Sequence, residues 1–84
     1  MNKAEQIKFI SQLLKMHVEE VEKYSDTIEE LNALYFSVPE KGGHSFIVGE
    51  DGSFLYADST IDFNKHLEQF KTGKRTEYNG DKNG

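Results

Sequence analysis

Apolar residues recur at spacings of three and four through the first third of the chain: Ile7, Ile10, Leu14, Val21, Tyr24, Ile28, Leu31 and Tyr35, with His17 as the polar member. Such a seam lays one stripe along a helix and needs a surface to cover it. At about 100° per residue, Glu19, Glu22, Asp26, Glu29 and Glu30 fall on the opposite side. Near the start the apolar arc widens, because Phe9, Leu13, Met16 and Val18 flank the seam. Residues 4–24 therefore read as a helix covered by more than one neighbour.

Ser25-Asp26-Thr27 interrupts that pattern with three residues that favour caps over helix interiors, and both Asp26-x-x-Glu29 and Thr27-x-x-Glu30 have capping-box spacing. Two outcomes follow. A fresh helix starts near Asp26, or one helix runs through. After Leu31 the helical period fails, and Leu34-Tyr35-Phe36-Ser37-Val38 reads as a strand ending at Pro39. Residues 39–43 form a loop. Ser45–Val48 and Ser53–Ala57 read as a hairpin around Glu50-Asp51-Gly52, with Gly52 in the left-handed position. Asp58, Ser59 and Thr60 offer N-caps to a last helix over 60–72, carried by Phe63, Leu67 and Phe70 and stopped by Gly73. The expected fold is α+β. It has an N-terminal helix or broken helix pair, a small antiparallel sheet of two to three strands, and a C-terminal helix packed on one face. Phe36, Val38, Phe46, Val48, Phe54 and Tyr56 supply the covered face. Residues 1–75 form a single domain, and 76–84 a disordered tail.

At 84 residues the chain has room for one core, and with no cysteine it has no disulfide to reinforce that core. Dimerisation is the remaining common support, and the long seam suits a homodimer. The first residues enter a charged amphipathic pattern, with neither the apolar stretch of a secretory signal nor the roughly 20 apolar residues of a membrane span. A soluble, cytoplasmic protein is expected. The net charge of −5 disfavours nucleic acid and anionic membranes, both of which select basic surfaces, and leaves a basic protein as the electrostatically suited partner.

Catalytic and metal chemistry find little support. His17-x-x-Glu20 could place two ligands on adjacent turns, but His44 and His66 have no second ligand at a recognised spacing, and structural zinc wants four ligands. Ser45, His44 and Asp58 would make a triad on paper. Neighbouring strand residues point to opposite faces, however, so His44 and Ser45 do not face each other. Gly42-Gly43-His44-Ser45 lacks phosphate-loop spacing and precedes a strand, not a helix. No enzyme activity, cofactor or metal is expected. The acidic residues Glu19, Glu22, Asp26, Glu29 and Glu30 are the candidates for partner binding. Ile10, Leu14, His17, Val21, Ile28 and Leu31 are the candidates for self-association. Lys71, Lys74 and Arg75, with Lys65 earlier, form a basic end that complements the last helix's dipole. In size and acidity the chain is similar in type to small immunity and antitoxin proteins, which cap a basic toxin through an acidic surface. The colicin-nuclease immunity proteins among them are wholly helical, unlike the hairpin at 45–57. The expected role is thus a small interaction module, immunity- or inhibitor-like, with a self-associating structural module as the alternative.

Overall fold

A computed structural model of the chain describes residues 1–38, 43–58 and 60–76. Helix α1 (Lys3–Leu14) opens on a reciprocal cap: the Asn2 side chain accepts from the Glu5 amide at 2.9 Å, and the Glu5 carboxylate accepts from the Asn2 amide at 3.0 Å. Lys15 closes it in the left-handed region at φ 57°, and His17, extended, begins the short helix α2 (Val18–Lys23). The helix therefore breaks at 15–17, ten residues before Ser25–Thr27, and the chain turns back so that α2 lies against α1.

Ser25–Thr27 neither caps a new helix nor continues the old one. Ser25–Ile28 is a strand, β1, antiparallel to β2 (Ala33–Ser37), with Ser25 opposite Phe36 and Ile28 opposite Ala33. Its residues carry as much strand as cap character: Thr27 and Ile28 are β-branched, and pairing with β2 satisfies backbone groups along the whole segment, where a cap would satisfy one or two. Glu29–Leu31 make a single 3₁₀ turn, and Asn32 at φ 50° completes the reversal, a conformation asparagine tolerates. The sheet consequently has four strands, not two to three, in the order β1-β2-β3-β4 with β3 (Ser45–Val48) and β4 (Phe54–Ala57), every neighbour antiparallel.

The β3–β4 hairpin matches its sequence signal. The Gly49 amide donates to the Ser53 carbonyl at 2.8 Å, closing a loop of Glu50, Asp51 and Gly52, and Gly52 sits at φ 89°. Helix α3 (Phe63–Lys71) is capped by Asp62, which accepts from the Lys65 amide at 2.8 Å, and it ends before Gly73 at φ 99°. Asp58 closes its own turn instead, accepting from the Thr60 amide and hydroxyl. The loop expectation for 39–42, the Ser59 cap and the tail at 77–84 lie outside the described residues.

Both faces of the sheet are covered. On one, Ile7, Ile10 and Val21 from the two N-terminal helices pack on Leu34, Phe36, Phe46, Val48 and Phe54. On the other, Phe70 and Leu67 of α3 pack on Ile28, Ala33, Ile47 and Leu55. The face expected from Phe36, Phe46, Val48 and Phe54 is thus only one of two. Val38 lies partly buried at its margin, and Tyr56 stays 40% exposed. Strand β3 explains why: all four of its residues are buried, the unbroken pattern of a strand sandwiched between layers. Gln6, buried in α1, ties the layers together, its Nε2 donating to the Asn32 carbonyl at 2.9 Å and the Val48 carbonyl at 3.1 Å.

Candidate functional site

The polar side chains that sequence grouped for catalysis are dispersed by the fold. Ser45 and His44 point to opposite faces of β3, as strand geometry requires. Ser45 meets His66 of α3, with Oγ 3.2 Å from Nδ1, while His66 Nε2 lies 2.8 Å from the Leu55 carbonyl. A carbonyl only accepts, so Nε2 carries the proton and Nδ1 accepts from the Ser45 hydroxyl. Burial lowers the proton affinity of the ring below that of an ordinary histidine, against the smaller opposing effect of the Leu55 bond. His66 is wholly buried and Ser45 nearly so. A nucleophile and base that no substrate can reach form a structural lock between α3 and the sheet. His44 pairs with Tyr56 on the other face, its Nδ1 2.5 Å from the phenolic oxygen. Asp58 is engaged with Thr60, and this hydrogen bonding holds its carboxyl below the usual range. His17 stands exposed at the start of α2 without a side-chain capping bond. Among the described residues no three histidines or carboxylates gather as a metal site, and no helix is long and apolar enough to cross a membrane.

The residues of the apolar seam do not form one surface. Ile10 and Val21 are wholly buried in the core beneath α1 and α2, and Ile28 is buried beneath the opposite face of the sheet. Leu14 and Leu31 pack partly buried on the two different clusters.

The sheet edges differ. Along β4 the segment after α3 meets two of the outward backbone groups: the Thr76 amide donates to the Phe54 carbonyl, and the Thr76 hydroxyl accepts from the Tyr56 amide, each at 2.7 Å. Arg75 anchors this segment, stacking 3.6 Å from the Phe70 ring and bonding the Ser53 hydroxyl and the Phe70 carbonyl. Along β1 no described residue takes that place. The Ser37 amide bonds the Tyr24 carbonyl, which sets the phase of the ladder. Asp26 and Ile28 exchange bonds with β2, and the amides and carbonyls of Ser25 and Thr27 point outward.

The acidic residues belong to this strand and to the elements just before and after it in the chain, not to one helix face. Glu19 and Glu22 belong to α2, which leads into β1. Asp26 lies in the strand itself, and Glu29 and Glu30 follow in the 3₁₀ turn. All five are exposed. Glu30 is paired with Lys71 of α3 at 2.8 Å, and Lys23 lies over the Tyr24 ring at 5.6 Å. With Glu20, residues 18–32 hold six carboxylates against Lys23, so this stretch carries as much net charge as the whole chain's −5. The basic end of α3 is largely occupied within the chain, Lys71 by Glu30 and Arg75 by the β4 edge.

Sequence reasoning found the carboxylates but missed the strand among them, because it read Ser25–Ile28 as helical. The one available signal was the β-branched pair Thr27-Ile28 ahead of a turn-forming asparagine and a second apolar run. No protein-family model, curated protein or solved structure matches the chain.

Proposed function

We propose that the protein is a non-enzymatic interaction module that presents the acidic edge formed by Glu19, Glu22, Asp26, Glu29 and Glu30 to a basic protein partner, in the manner of an immunity or inhibitor protein, and that it works in the cytoplasm. One observation carries this reading: Asp26 stands on the strand whose outer edge no described residue covers, and four more carboxylates belong to the elements just before and after it in the chain, while Thr76 bonds along the opposite edge. Charge concentrated on one side steers a basic partner and disfavours acidic ones. The test is affinity capture from a lysate of the source cells with quantitative mass spectrometry, comparing the wild type with Glu22→Lys/Asp26→Lys/Glu29→Lys. All three positions are exposed, so the fold is retained. Loss of a basic partner from the triple variant is the expected result, and an unchanged set of captured proteins would overturn the reading.

A further inference from the structure

Resting on the acidic-edge reading, we propose that the occupant of this edge is an extended, lysine- or arginine-bearing segment of a partner protein, which pairs with β1 as a fifth strand. The backbone supplies the first half of the case. Ser25 and Thr27 direct two amides and two carbonyls outward, in the spacing that an added strand satisfies. Strand β4 shows that this sheet accepts such a supplement, since Thr76 lies along it and bonds both Phe54 and Tyr56.

Charge then selects the occupant. On an added strand, the residue opposite Asp26 forms a non-hydrogen-bonded pair, with Cα atoms only about 4.5 Å apart, so a basic side chain there meets the carboxylate directly. Asp26 is opposite Tyr35 on the α3 face, and Tyr35 packs edge-on against Phe63, with ring centroids 4.7 Å apart and Phe63 41% exposed. This apolar rim suits the long methylene stem of lysine or arginine. A second copy of the chain is a poor occupant. Pairing β1 with β1 would bring two acidic 18–32 stretches to strand spacing of about 4.8 Å, well inside the roughly 8 Å screening length of physiological salt. The same charges that protect the edge from self-pairing favour a strand of opposite sign.

The experiment titrates the full-length, isotope-labelled protein with three nine-residue peptides, followed by amide shifts and hydrogen exchange. One peptide alternates lysine with threonine. The second is the same peptide N-methylated at the amides that would bond the Ser25 and Thr27 carbonyls. The third carries glutamate in place of lysine. The lysine peptide is expected to shift the Ser25 and Thr27 amides and slow their exchange. N-methylation or Asp26→Lys should each weaken binding at least tenfold, and the glutamate peptide should not bind. Equal binding of the N-methylated peptide would overturn the strand inference while leaving the acidic-edge reading intact. If the lysine peptide shifts nothing in residues 18–32, both fall. Concentration-dependent shifts of Ser25 and Thr27 without peptide would make a second copy the occupant and also overturn the inference.

Discussion

Replacing His66 with leucine tests how α3 is held to the sheet and separates packing from proton linkage. The ring is wholly buried, donating to the Leu55 carbonyl and accepting from the Ser45 hydroxyl. Leucine fills much of the space but leaves that carbonyl and hydroxyl without partners. Each buried unpaired group costs about 1–3 kcal/mol, and the added apolar burial offsets part of it, so the net loss should be about 2–4 kcal/mol. For a domain of this size about 1 kcal/mol moves Tm by 4–8 °C, giving a drop of roughly 10–30 °C. Ser45→Ala leaves only the buried His66 Nδ1 without its partner and should cost about 1–3 kcal/mol. The pH dependence is the more specific signature. Burial makes the folded ring a weaker base than the ordinary histidine value of 6.5, so the unfolded chain binds the proton more readily. The stability that neutral His66 contributes is present in full above about pH 6.5 and is lost as pH falls below it, with a slope of up to about 1.4 kcal/mol per pH unit. Asp51 and Asp58, held below their usual range chiefly by Ser53 and Thr60, titrate at lower pH and leave this window clear. Urea unfolding between about pH 7.5 and 5 should show the wild type and Ser45→Ala weakening with acid, and His66→Leu staying nearly flat. The same slope in wild type and His66→Leu would refute the assignment of His66 as a buried neutral lock.

Two further outcomes bear on the frame that displays the edge. Gln6→Leu removes the donor shared by the Asn32 and Val48 carbonyls and should cost about 2–3 kcal/mol in urea unfolding; a loss within experimental error would show that α1 is held by apolar packing alone. Gly52→Ala places a side chain at φ 89° with only the Met1 side chain nearby, so the cost is that of the backbone conformation, about 1 kcal/mol, visible as a Tm lowered by several degrees.

Several elements were legible in the sequence because their determinants are local. The β3–β4 hairpin follows from two apolar runs around a loop that needs glycine at one left-handed position, and Gly52 holds that place. Helix α3 follows from Phe63, Leu67 and Phe70 with Gly73 beyond, although its cap proved to be Asp62, one turn inside the predicted start. The unalternating Ser45–Val48 run is consistent with the two-sided burial of β3, which the expectation of one covered face missed.

What only the tertiary structure decided lies between residues 15 and 32. There the helical seam and the capping spacing both agreed with helix, and neither knew of β2. The apolar positions at three–four spacing were distributed between two faces of a sheet, because a strand places alternate residues on opposite sides and Ile28 could reach one core while Val21 filled the other. The five acidic residues were present from the start, and the sequence alone determined their number and their proximity along the chain. Their meaning depended on a non-local event, the pairing of Ser25–Ile28 with Ala33–Ser37, which turned a solvated helix face into the border of an open strand. Likewise His66 read as an unremarkable mid-helix polar residue until α3 packed it against Ser45 and the Leu55 carbonyl. Hydrogen bonds between residues 11 to 21 positions apart leave no periodic trace in a sequence, whereas caps, turns and apolar spacing do.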